Sequence, residues 1–127
     1  MSSKYLIDSS AFIEYLESTL KGIKIKKIIE EDEIFISAIT ISEIADKCIR
    51  NNQDFMPALD FVRSRAVILP VTADIALHAA IIKNEQRKKC PKFGIADAIQ
   101  LATAKDENIT IISADSDFKY AENIFLI

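Results

Sequence analysis

The stretch Phe93-Gly94-Ile95-Ala96-Asp97-Ala98-Ile99-Gln100-Leu101-Ala102-Thr103-Ala104 sets the terms for the rest of the chain. Gly94 can start a helix, and the Ala, Ile and Leu residues continue it. On a helical wheel its apolar residues fall on nearly every side, the pattern of a buried helix. Asp97 is then a carboxylate in the first turn of a core helix, with Leu101 and Ala104 on its own face. A buried carboxylate without a partner is costly, so Asp97 should be protonated, paired or bound to a metal.

Around this helix, short β-branched runs alternate with amphipathic segments. Strands are expected at 4–7, 34–36, 66–69, 109–112 and 123–127. Helices are expected at 11–20, 23–31, about 40–50, 54–65, 72–89 and 94–106. Gly22 reads as the break between the first two helices, and Thr40-Ile41-Ser42-Glu43 as a capping box opening the third. Continuous apolar strands separated by helices predict a mostly parallel sheet covered on both faces. The expected fold class is therefore α/β: one three-layer domain over residues 1–127, without repeats or linkers.

Length and composition agree. The 127 residues are 50% hydrophobic with two glycines and three prolines, which describes a globular chain. A formal net charge of -3 excludes a nucleic-acid binder that relies on bulk positive charge. Any such contact must use local patches. No apolar run approaches a membrane span, and Met1-Ser2-Ser3-Lys4 lacks a signal-peptide pattern, so a cytoplasmic location is expected. Cys48 and Cys90 are far apart and read as free thiols. His78 has no nucleophile partner by spacing, and neither G-x-S-x-G, G-x-G-x-x-G nor a Walker pattern occurs.

In open α/β sheets ligands bind beyond the carboxyl ends of the strands. Asp8 follows the first strand, Glu43 opens the helix after the second, Asp97 opens the helix leading to the fourth, and Asp115 follows the fourth with Asp117 close behind. Each has an ordinary explanation. Asp8 could cap a helix, Glu43 could complete its capping box, Asp97 could favour a helix N-terminus, and Asp115 and Asp117 could belong to a turn. Capping does not, however, require every acid to fall at one sheet edge. Converging carboxylates cannot all ionise unaided. An oxygen-only set without His or Cys suits Mg²⁺ or Mn²⁺ rather than Zn²⁺, the equipment of metal-assisted phosphodiester hydrolysis. Ser9 and Ser113 stand beside Asp8 and Asp115, where their hydroxyls could orient a water or a carboxylate or serve only the turn.

The segments Tyr5–Phe12, Ser42-Glu43-Ile44, Gly94–Ala104 and Ile112–Phe118 together resemble PIN domains, and among them the VapC-type toxins of toxin–antitoxin pairs. The resemblance spans essentially the whole chain, in the family's order. It implies a Mg²⁺- or Mn²⁺-dependent endoribonuclease with a parallel sheet, a homodimer, and inhibition by a small antitoxin. Asp8, Glu43, Asp97 and Asp115 match the family's acidic quartet, with Asp8 and Asp97 as central metal ligands. Asp117 matches a frequent extra acid and Ser9 the small hydroxyl residue after the first Asp. Ser113 departs from the more frequent Thr but keeps the hydroxyl.

For RNA, Arg87, Lys88, Lys89 and Lys92 lead into the Asp97 helix and are the expected phosphate contacts. Lys21, Lys24, Lys26 and Lys27 form a second basic group. A solvated helix end explains the first run equally well. Ile49, Phe55, Met56 and Phe61 read either as core or as an apolar surface for a dimer or an antitoxin helix. Rival functions are a PIN-like module that binds RNA or protein without cutting, and a housekeeping RNA-processing nuclease. A receiver domain would need a phosphorylated Asp after the third strand, where Pro70 stands.

Overall fold

A computed structural model describes residues 3–127. Met1 and Ser2, part of the N-terminal stretch read for a leader, lie outside them. In chain order the elements are β1 (Lys4–Ile7), α1 (Ser9–Leu16), α2 (Leu20–Glu31), β2 (Glu33–Ser37), α3 (Ala38–Arg50), α4 (Met56–Arg65), β3 (Ala66–Leu69), α5 (Ala73–Gln86), α6 (Ile95–Glu107), β4 (Thr110–Ser113), a 3-10 turn (Ser116–Tyr120) and β5 (Ile124–Leu126). The strands form one sheet in the order β3-β2-β1-β4-β5, with every neighbouring pair parallel. The expected three-layer α/β architecture is the one observed.

The pleat divides the core. Leu6, Phe35 and Ile111 point to one face, where they meet Ile75, Ala79 and Ile82 of α5 and Ala98, Leu101 and Ala102 of α6. Ile7, Ile34, Ile36 and Ile112 point to the other, against Phe12 of α1, Ile25 and Ile29 of α2, Ile44 of α3 and Val62 of α4. Adjacent residues on a strand face opposite sides, so runs such as Ile34-Phe35-Ile36 feed both layers. This is why these strands read as continuous apolar runs rather than alternating ones.

Helix α5 ends at Gln86, three residues short of expectation, and helix boundaries also differ around Gly22 and after β2, there for local reasons. Helix α1 stops at Leu16, and Ser18 adopts a left-handed φ of 55°. Thr19 then caps α2, its side chain accepting from the Gly22 amide at 3.1 Å. Gly22 is therefore not a helix break. It lies inside α2, where a Cβ would sit 2.1 Å from the Glu14 carbonyl oxygen, so only glycine lets α2 pack onto α1 there. Helix α3 starts at Ala38, before the expected capping box. Ser37 ends β2 and also caps α3, its hydroxyl accepting from the Ile39 amide. Thr40 is thereby drawn into the buried first turn, and Glu43 moves to the second.

Candidate metal centre

The sheet register builds the first half of the site. Ile7 on β1 pairs with Ile112 on β4, and the Asp8 amide donates to the Ile112 carbonyl at 2.9 Å. Asp8 and Ser113 therefore emerge side by side at the strands' carboxyl ends. Asp8 has the extended backbone of an N-cap residue, with φ -70° and ψ 154°, yet its side chain makes no cap hydrogen bond to α1. Its buried Oδ2 accepts from the Ser10 hydroxyl at 2.7 Å and the Ser113 hydroxyl at 2.9 Å. Ser10 Oγ accepts in turn from the Ala114 amide at 3.0 Å, and Ser113 Oγ from the Asp115 amide at 2.9 Å. A hydroxyl has one proton to give. With both directed at Asp8, the 3.2 Å between the two serine oxygens is proximity without a further proton to share.

Beyond β4, Asp115 caps the 3-10 turn by accepting from the Asp117 amide at 2.9 Å. The capping explanation for Asp115 is thus correct as far as it goes. It does not account for what stands opposite. Asp97, in the first turn of α6, joins Asp115 and Asp117 so that one carboxylate oxygen from each lies within 4.8 Å of the others.

Electrostatics ties Asp8 and Glu43 to the same place. Burial pushes the Asp97 carboxyl up to about 7, and the charges of Asp8, Asp115 and Glu43 add to the rise against the Gly94 amide. The helix N-terminus acts the other way, through the Gly94 amide, and is outweighed, so that position alone does not account for Asp97. Asp8 is also raised, chiefly by burial, with the Ser10 and Ser113 hydroxyls opposing and Asp115 reinforcing. Glu43 is raised by burial, then by the charge of Asp8, while Ser9 and Gln100 favour its charged form. Its Oε1 is buried and receives no hydrogen bond.

The residues fit a divalent cation. A carboxylate oxygen withdrawn from water without a donor costs about 1–3 kcal/mol or more, and grouped like charges add to that cost. A hard cation relieves both, and the donors are all oxygen.

The serines divide between two acids. Ser9 lies beside Glu43, whereas Ser10 and Ser113 hold Asp8. Sequence reasoning passed over Ser10, although the Asp-Ser-Ser run carried the signal: a hydroxyl two residues beyond an Asp is within reach of its carboxylate. It also passed over Gln100 and read Thr40 only as part of a cap; the two are buried and hydrogen-bonded to each other. Arg87, Lys88, Lys89 and Lys92 are exposed. Arg87 Nε donates to the Phe93 carbonyl at 2.8 Å, tying the end of α5 to the chain entering α6. Lys89 lines a cleft with Leu101, Ala104, Lys105 and Asn108, along the later turns of α6. His78 is exposed on α5.

Five parallel strands in this order, with carboxylates gathered beyond their ends, define an α/β protein whose site lies where its helices begin. The chain belongs to the PIN domain family, whose model matches residues 5–123. No curated protein sequence matches it. Among solved structures, a toxin–antitoxin complex from Klebsiella pneumoniae is similar over 97% of this chain and 99% of that one, with a TM-score of 0.73 and 24% identity. VapBC2 from Rickettsia felis, bound to a DNA fragment from its promoter, is similar over 98% and 97%, with a TM-score of 0.75 and 19% identity. VapC20 from Mycobacterium tuberculosis, described as a sarcin–ricin loop cleaving toxin, is similar over 94% and 95%, with a TM-score of 0.74 and 16% identity. Among the described residues no helix is long and apolar enough to cross a membrane.

Proposed function

We propose that this protein is a cytoplasmic, divalent-metal-dependent endoribonuclease of one domain, the toxin of a VapBC-type pair. The observation that carries this reading is the gathering of Asp97, Asp115 and Asp117 within 4.8 Å, with Asp8 and Glu43 close enough to raise Asp97. Asp8, Glu43, Asp97 and Asp115 would hold Mg²⁺ or Mn²⁺, with Asp117 within reach. When bound, the cation lowers the pKa of a ligated water and offsets charge on the phosphodiester.

The chain's own residues do the positioning. Ser10 and Ser113 fix the rotamer of Asp8 and favour its charged form, which is the form that ligates. The apolar packing of Ala98, Leu101 and Ala102 fixes α6 and hence Asp97. RNA is the supported substrate because VapC20 is described as cleaving the sarcin–ricin loop. Lys92, two residues before the N-cap of α6, offers a phosphate contact beside Asp97.

The antitoxin partner is supported by the toxin–antitoxin complexes among the similar structures. It is supported also by a groove of 870 Å³ between α1–α2 and α3–α4, lined by apolar Ile13, Leu16, Ile23 and Phe61 beside Lys26 and Lys47. Of the apolar residues left open by sequence, Phe61 packs against Phe12 and Tyr15 and also lines the groove, Phe55 is half-buried, and Ile49 and Met56 are exposed. A homodimer belongs to the same reading. Leu77 and Ile81, exposed one turn apart on α5, offer apolar surface for it.

The test is cleavage of RNA by cation-stripped protein resupplied with Mn²⁺ or Mg²⁺. Wild type should cut only with the cation. Asp8→Asn and Asp97→Asn should each lose more than about a hundredfold, above the cost of losing an outer partner of a metal site. Equal cutting by all three, cutting that persists in EDTA, or RNA binding without turnover would overturn the proposal.

A further inference from the structure

Gln100 is among the largest fully buried side chains of the protein, with 0% exposure. It is one of only six buried polar or charged residues identified among the described residues, with Asp8, Ser37, Thr40, Thr103 and Ser113. Its Nε2 donates to Thr40 Oγ1, on a residue 60 positions away that is itself fully buried. Its Oε1 has no hydrogen-bond partner. A buried amide satisfied on one side only is costly, and an apolar side chain of the same size would avoid that cost. Stability alone therefore does not explain a glutamine here.

Its neighbours suggest another reason. Gln100 lies three residues after Asp97 on α6, and Thr40 three residues before Glu43 on α3. Residues at that spacing share a helix face. The Thr40–Gln100 hydrogen bond thus joins the two faces that carry the two acids. Gln100 also lies close enough to Glu43 to favour its carboxylate, and Glu43 Oε1 is itself without a donor.

We propose that Gln100, anchored by Thr40, is a positioning residue that sets α3 against α6 and aims the Glu43 carboxylate toward a cation that Asp8, Asp97 and Asp115 would hold. The proposal rests on the metal-centre reading above. Gln100 acts through Glu43 and need not touch the RNA. Fixing a ligand by a partner behind it is how metal sites raise affinity, and loss of such a partner costs about 10–100-fold.

The experiment is Mn²⁺ titration by calorimetry, with thermal denaturation of the cation-free protein, for wild type, Gln100→Leu, Thr40→Val and the double variant. Gln100→Leu should bind Mn²⁺ about tenfold more weakly or worse, with the cation-free melting temperature unchanged or higher. Thr40→Val should weaken binding in the same direction, and the double variant should be no worse than Gln100→Leu, because both remove one linkage. Thr40→Ser supplies the conservative control: it keeps the hydroxyl that accepts from Gln100 and should retain more affinity than Thr40→Val. Unchanged Mn²⁺ affinity in Gln100→Leu, or a fall in melting temperature with affinity intact, would show a purely structural glutamine and overturn the proposal. Failure of wild type to bind Mn²⁺ at all would instead sink the metal-centre reading beneath it.

Discussion

The two halves of the acidic site are built differently. At the strand ends, Asp8 receives two hydroxyl protons, and each hydroxyl accepts a backbone amide from the turn after β4. At the helix starts, Glu43 Oε1 and Gln100 Oε1 receive nothing, and Asp97 is pushed up to about 7. The strand half has its hydrogen bonds met, although burial still raises Asp8. The helix half stores an electrostatic cost that a cation would remove. A site divided in this way has a fixed frame on one side and an unmet demand on the other. That is how a binding centre can be preorganised without being neutralised in advance.

Substitution should have opposite signs in the two halves. Ser113→Ala removes a donor to Asp8 and the acceptor for the Asp115 amide, at a fully buried position. It should lower the unfolding free energy by about 2 kcal/mol, from a lost hydrogen bond and an amide left unpaired. Asp97→Asn removes a charge that its neighbours oppose, and in the absence of cation should raise the melting temperature by a few degrees. Denaturant unfolding of cation-free protein measures both. If Ser113→Ala is neutral, or Asp97→Asn destabilises, the division of the site is wrong.

The same contrast gives a smaller effect in pH. Asp97 moves from the ordinary 3.8 to about 7 on folding, and Asp8 and Glu43 move the same way. Between those values the folded protein keeps a proton that the unfolded chain has released. Stability must therefore fall as pH rises through that window, and level off above about 7. Cation-free wild type should melt higher near pH 5 than near pH 8 (both rough choices that bracket this window), and the difference should shrink in Asp97→Asn. Saturating Mn²⁺ should stabilise more at the higher pH, where it no longer competes with protons. A wild-type-minus-Asp97→Asn difference that rises with pH would contradict the linkage.

The legibility of the two halves from sequence follows the same line. Every strand was visible as an apolar run, and Asp8, Asp97 and Asp115 because each sits where such a run ends or an apolar helix begins. These are local patterns. Glu43 was found with the wrong environment. Thr40-Ile41-Ser42-Glu43 pointed to a capping box at Thr40, but Ser37 already capped the helix with no loop after β2. The shift carries Glu43 into the second turn, where its carboxylate loses the cap that would have satisfied it. The pairing of Gln100 with Thr40 was not legible at all. A glutamine inside an apolar helix has no local signature when its partner is 60 residues away. Gly22 was misread because close approach of α1 and α2 is a property of packing, not of a turn.

The basic run next to the helix half gives the smallest expected effect and separates its members. Arg87 is committed to the Phe93 carbonyl, so Arg87→Ala should loosen the entry to α6 more than it weakens RNA. Lys89 lines a cleft along the later turns of α6, away from the first turn that carries Asp97. Lys92 stands two residues before Gly94, the N-cap of α6, and among the described residues it forms no ion pair. If the run contacts RNA phosphates, Lys92→Ala should reduce the slope of log affinity against log salt by about 0.7, one single-strand phosphate. Lys89→Ala should leave it unchanged. Binding is best measured with Asp97→Asn, across a salt series, so that cleavage does not intervene. Equal slopes for all three proteins would make the run an ordinary solvated helix end. Equal losses from Lys89 and Lys92 would mean that the RNA path extends along α6, away from the acids, and that the helix half does not set the direction of approach.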